Sequence, residues 1–142
     1  CGVPVGAFLM TERVAEKSLA PGDHGTTYGG NPFVGAAVSR VFDLFESMHI
    51  LDNVSKVSAY LEQQLDTVVQ KYDFLTERRG MGLMQGIATT KKAADISAKA
   101  LEEGLVIITA GADVIRMLPP LIITEADVNE MIDKFTKALE RV

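Results

Sequence analysis

Three stretches of the chain hold residue types that could do chemistry. The first is Gly22-Asp23-His24-Gly25-Thr26-Thr27-Tyr28-Gly29-Gly30-Asn31-Pro32. Asparagine is a good helix N-cap and proline suits the first helical position, so this loop should end at a helix N-terminus. Unpaired backbone N–H groups and the helix dipole favour an anion there. Gly25, Gly29 and Gly30 would let a ligand come close to the backbone. The hydroxyls of Thr26 and Thr27 would donate to its oxygens. Two readings are open on these residues: a phosphate cradle, or a glycine-rich connector with ordinary turn chemistry.

The second stretch is Arg116, set inside the apolar pattern Val114-Ile115-Arg116-Met117-Leu118 just before Pro119-Pro120. A charge amid such neighbours needs a partner. The guanidinium is a rigid fork that binds a carboxylate through two parallel hydrogen bonds. A carboxylate ligand, a structural ion pair and a solvated strand face all satisfy the pattern. The third stretch is Arg78-Arg79, ahead of Gly80-Met81-Gly82-Leu83. These tandem arginines read as a carboxylate contact or as a solvated strand end. His24 has no cluster of metal-ligand spacing around it and reads as a loop residue holding backbone. His49 reads as a helix-end charge or a surface residue. Cys1 has no histidine or aspartate arrangement to make it a nucleophile.

The elements that must position these residues follow from periodicity. Val3 to Met10 carries no charge and reads as a short buried strand. Thr11 to Leu19 reads as a short helix or turn with Thr11 as N-cap. Val34, Ala37, Val38, Val41, Phe42 and Phe45 recur at helical spacing after Asn31-Pro32. Asp52 or Asn53 is expected to cap the next helix, whose stripe is Val54, Val57, Leu61, Leu65, Val68 and Tyr72. Phe74 to Arg79 is extended, and Leu83 to Ala88 is a strand. Lys92 to Glu103 is a helix stopped by Gly104. Leu105 to Ile108 is a strand, and Val114 to Leu118 is its antiparallel partner, ended by Pro119-Pro120. Thr124 and Asp127 form a capping box for a last helix buried through Val128, Met131, Ile132, Phe135 and Leu139. The fold class is therefore α/β to α+β. Leu75 to Val142, in strand, helix, two strands, helix order, can close on itself as a small α+β layer. Cys1 to Pro32 has one strand and one loop and no sheet of its own, which puts a domain boundary in or after the helix from Asn31 to Met48.

Composition excludes several functions. The 142 residues carry 14 Lys+Arg against 19 Asp+Glu, a formal charge of −5, so there is no basic face for nucleic acid. A hydrophobic fraction of 47% supplies a core and argues against disorder. One cysteine makes no internal disulfide. No apolar run approaches the roughly 20 residues that span a bilayer. A start at Cys1, directly in an apolar run, reads as the back end of something longer.

Four blocks stand in order: Gly2-Val3-Pro4-Val5-Gly6-Ala7, His24 to Pro32, Arg79-Gly80-Met81-Gly82-Leu83-Met84-Gln85-Gly86, and Ile115-Arg116-Met117-Leu118-Pro119-Pro120-Leu121. Together they closely resemble the C-terminal part of the class III, pyridoxal-phosphate-dependent aminotransferases, with the acetylornithine aminotransferase group nearest. The resemblance implies that residues 1–48 are the last strand, loop and linking helix of a large cofactor domain. Residues 49–142 would be the small C-terminal domain of a fold-type I enzyme. It implies pyridoxal 5'-phosphate as cofactor, small amino-acid and 2-oxo-acid substrates, a homodimer and a cytoplasmic home. Thr27 would bond the cofactor phosphate of the neighbouring subunit, and Thr26 would line the substrate site. Arg116 would clamp the α-carboxylate. The implied reaction moves an amino group between N-acetylornithine, or a related ω-amino compound, and 2-oxoglutarate in arginine biosynthesis. Ornithine, succinylornithine and 4-aminobutyrate are rival donors, and a non-catalytic binding or assembly module is the rival class. The family's Schiff-base lysine falls before Gly2-Val3-Pro4, upstream of Cys1. The chain by itself is therefore expected to be inactive.

Overall fold

The computed structural model describes residues 2–142. Cys1, and the nucleophile question attached to it, lie outside the described residues. The chain divides into two compact units, Cys1–Met48 and His49–Val142.

The first unit holds two helices, α1 (Glu12–Ser18) and α2 (Pro32–Ser47), neither of which buries a residue. Asn31 caps α2 as its side chain accepts from the Val34 N–H at 3.0 Å, and Pro32 takes the first helical position. Thr11 precedes α1 but makes no side-chain cap. The expected strand over Val3 to Met10 does not form: these residues belong to no ladder. An isolated segment has no neighbour to take its N–H and C=O groups, and apolar character alone does not make a strand. Val5, Phe8 and Leu9 are exposed.

The second unit is a two-layer α+β fold. Its long helix α3 (Ile50–Lys71) begins earlier than the capping residues imply. His49 stands at the N-cap in the left-handed region, with φ of 49°. Asn53, expected as a cap, instead donates to the carbonyls of Leu121 and Ile123 at 2.9 and 3.1 Å. The apolar stripe wins over the local cap signal, because Ile50 is already buried. Four strands follow: β1 (Leu75–Met81), β2 (Met84–Thr89), β3 (Ile108–Thr109) and β4 (Val114–Met117). They form one antiparallel sheet in the order β1-β2-β4-β3. The extended Phe74–Arg79 segment is thus a full strand in a hairpin. The strand expected over Leu105 to Ile108 shrinks to Ile108–Thr109, because only that pair meets β4.

Between β2 and β3 runs α4 (Ala93–Glu102). Gly104, with φ of 75°, closes it in a Schellman turn: its N–H reaches Leu101 O and that of Leu105 reaches Ala100 O. The last helix, α5 (Glu125–Leu139), carries the expected capping box between Thr124 and Asp127. All three helices pack on one face of the sheet. There Leu61 and Leu65 of α3, Ile96 of α4, Phe135 and Leu139 of α5, and Ile87 and Ile115 of the sheet make the core. Strand alternation sends residues 84, 86, 114 and 116 to the other face.

Candidate functional site

That other face carries the strongest chemistry in the second unit. Three neighbouring strands place Arg79 opposite Gly86, and Gly86 opposite Arg116. Residues directly opposite in a ladder share a face, so both arginines rise from the same side of the sheet with a glycine between them. A side chain at 86 would stand in that gap. A cavity of about 720 Å³ opens here, lined by both arginines, Met81, Met84, Gly86 and Val114.

Arg116 is only half-buried as a residue, yet its Nε is buried and has no hydrogen-bond partner. A buried donor without an acceptor is costly. The alternation of β4 buries Ile115 and Met117 on the helix side and puts Arg116, beside the buried Val114, on the other face. Among the described residues no carboxylate pairs with Arg116. Of the readings its sequence context left open, the ion pair is absent among the described residues, and Arg116 stands partly exposed on the sheet face away from the helices. An unpaired, partly desolvated fork beside an apolar wall is what a carboxylate-bearing ligand would complete.

The tandem arginines separate, because successive strand residues face opposite ways. Arg78 turns to the helix side. Its Nε donates to Asp66 at 2.6 Å, its Nη2 to the same carboxylate at 3.3 Å, and Glu62 lies 3.6 Å away. These carboxylates raise the Arg78 pKa, the Asp66 hydrogen bond first. Arg79 stays exposed beside Glu77 at 3.7 Å. Gln85, which sequence reasoning passed over, is fully buried and hydrogen-bonded to Arg78, Gly82 and Glu62. The signal that could have found it was a glutamine at an inward position of a strand.

The Gly22–Pro32 loop belongs to the first unit. The Thr26 Oγ1 accepts from the Tyr28 N–H at 3.3 Å and leaves its own O–H to donate. The Gly29 N–H closes onto the Thr26 carbonyl at 3.1 Å. A Cβ at Gly29 would press on Thr26 Cγ2 at 3.0 Å, so a larger residue there would have to push the Thr26 side chain aside. Thr27 is exposed, and among the described residues its hydroxyl has no partner. Thr26 lines a cavity of about 380 Å³ with Val5, Gly6, Tyr28 and Gly30, and Thr27 is not part of that lining. Since Pro32 has no N–H and Asn31 takes that of Val34, Phe33 keeps a first-turn N–H with no partner among the described residues. The Thr26 hydroxyl in a cavity whose lining holds no carboxylate, and the Phe33 N–H at the helix start, are donor types that suit the phosphate of pyridoxal phosphate. His24 differs from expectation: its ring meets Phe8 edge-on at 5.3 Å, and among the described residues it holds no backbone group.

Among the described residues no lysine is buried. Among the described residues, no group of three or more His, Cys, Asp or Glu stands where it could hold a metal ion. No helix is long and apolar enough to cross a membrane.

Comparison with known proteins supplies the remaining observations. The aminotransferase class-III family matches residues 1–139. The mitochondrial acetylornithine aminotransferase of Yarrowia lipolytica is 41% identical over 139 residues, which is 97% of this chain and 34% of that protein. Among solved structures, the acetylornithine aminotransferase of Elizabethkingia anophelis superposes with a TM-score of 0.80 at 26% identity, over 87% of this chain and 32% of its own. The ornithine δ-aminotransferase of Plasmodium falciparum gives 0.81 at 29% identity, with the same coverage. The chain spans about a third of the length of the curated relatives it matches.

Proposed function

This chain belongs to the aminotransferase class-III family, a family of pyridoxal-phosphate enzymes, and on that premise we propose that it supplies the substrate-carboxylate clamp and a phosphate contact of an acetylornithine-type aminotransferase. The observation that carries the reading is the buried, unpartnered Nε of Arg116 at the wall of the 720 Å³ cavity. Residues 1–48 would be the end of the large cofactor domain, and residues 49–142 the small domain.

Each residue has a physical task. Arg116 orients an amino acid by taking its α-carboxylate, which fixes the reacting carbon and lowers the entropy cost of the encounter. Gly86 leaves room for that carboxylate between the strands. Val114 gives the ion pair a buried apolar neighbour, with Met84 and Met81 at the open rim of the cavity. Arg79 adds a second positive charge that draws anionic substrates inward. Thr27 donates its hydroxyl to the cofactor phosphate of a partner subunit in a homodimer, and Thr26 donates toward the substrate. Pyridoxal phosphate, when bound, supplies the electron sink that lets an amino group leave one carbon skeleton for another.

The donor we propose is N-acetylornithine, or a related ω-amino compound, and the acceptor 2-oxoglutarate, in arginine biosynthesis. Relatives 36 to 41% identical and named for acetylornithine support this. The likeness to ornithine δ-aminotransferase keeps ornithine as the second reading. The compartment we propose is the cytoplasm. The test is substrate profiling of a protein carrying these residues, with pyridoxal phosphate and 2-oxoglutarate. Glutamate formed faster from N-acetylornithine than from ornithine, and lost in Arg116→Gln, is expected. Equal rates in wild type and Arg116→Gln would overturn the reading.

A further inference from the structure

We propose that Gln85 is a positioning residue for the Arg116 cavity: from beneath the sheet it holds the tip of the β1–β2 hairpin, and so fixes the cavity wall that faces the clamp. The proposal rests on the reading of Arg116 as that clamp.

Gln85 is fully buried, an unusual place for a residue type that is mostly exposed. Its carboxamide is engaged at both ends. Oε1 accepts from Arg78 Nη1 at 3.0 Å, and Nε2 donates to the Gly82 carbonyl at 2.7 Å and to Glu62 at 3.3 Å. Arg78 is itself locked to Asp66 on α3 by two hydrogen bonds. The carbonyl at the hairpin tip is therefore tied to α3 through two side chains. The fit is close: a Cβ at Gly80 would collide with the Met84 carbonyl and lie 2.7 Å from Gln85 Oε1. The tip carries Met81 and Met84, which line the cavity with Arg79 and Arg116. The backbone of Gln85 also pairs with Met117, the residue after Arg116. One residue thus links the long helix and the cavity wall through its side chain and the clamp strand through its backbone.

Leucine at 85 fills a similar volume and makes none of these bonds, which leaves the Gly82 carbonyl and an Arg78 N–H unpaired. The 142-residue chain is titrated with L-glutamate, read on the Arg116 Nε–Hε resonance, in wild type, Gln85→Leu, Arg116→Gln and the double variant. Gln85→Leu should weaken binding roughly tenfold, speed hydrogen exchange at Leu83 and Met84, and add nothing to Arg116→Gln when read by calorimetry. Gln85→Glu provides a milder probe. Ionised, beside Glu62 and Asp66 and against Arg78, it cannot donate to Gly82; protonated, it can. Its affinity should fall at neutral pH and recover in acid. Wild-type affinity in both position-85 variants, or an equal loss from Gln85→Leu without Arg116, overturns the inference and spares the clamp. No saturable binding in wild type, or none of its loss in Arg116→Gln, overturns the clamp and the inference with it.

Discussion

Arg116 and Gly86 stand directly opposite each other across β4 and β2, so the long cationic side chain rises beside a position with no side chain at all. The gap explains why the cavity reaches the guanidinium. A Cβ at 86 would meet Arg79 O and Val114 Cγ1 at 3.5 Å, which is ordinary contact. Gly86→Ala should therefore fold with stability within about 1 kcal/mol of wild type while weakening carboxylate binding. Thermal melts paired with ligand titration check both halves. A large drop in melting temperature would show that the glycine serves folding instead.

Arg79 shares the cavity but stays exposed beside Glu77. Its part is long-range attraction rather than a fixed contact. Arg79→Gln should weaken glutamate binding only about twofold to threefold, and the difference should vanish by 1 M salt, where the Debye length is about 3 Å. Titrations at low and high salt separate this from a direct contact, whose loss would persist.

The sequence made the second unit readable wherever chemistry and periodicity agreed. Thr124 and Asp127 announced α5, Gly104 announced the end of α4, and Pro119-Pro120 marked the end of β4. Agreement failed where context decides. Val3 to Met10 has strand composition but no partner to pair with. Asp52 and Asn53 look like caps, yet burial of Ile50 starts α3 earlier. Arg116 was legible as a charge in an apolar strand. The cavity was not, because it depends on the register that sets Gly86 against it. Gln85 was invisible, since nothing local distinguishes a buried glutamine from an exposed one.

The α5 cap gives a pH signature. Hydrogen bonds from the Thr124 hydroxyl and then its backbone N–H hold the Asp127 carboxyl below its ordinary value. A depressed folded-state pKa stabilises the fold above the unfolded value, near 3.9, and that contribution fades as pH falls through the folded value. Acid unfolding followed by circular dichroism should thus be less steep below about pH 4 in Asp127→Asn than in wild type. Thr124→Ala should cost about 1 kcal/mol at neutral pH.

Phe135 is fully buried among the helices and the sheet. Phe135→Ala should destabilise the second unit by roughly 3–5 kcal/mol through lost burial and the cavity it leaves. Urea denaturation monitored on the second unit measures it. A loss under 1 kcal/mol would mean the helices repack around the gap.

Arg116 taking a substrate carboxylate is the interaction on which the proposed function turns. It is tested most directly by titrating L-glutamate against the chain while following the Nε–Hε resonance of Arg116. Wild type should show a saturable shift, and Arg116→Lys an affinity weaker by roughly 30-fold or more, as loss of a buried charged hydrogen bond costs. A stationary Arg116 resonance under saturating ligand, or unchanged affinity in the lysine variant, would contradict it.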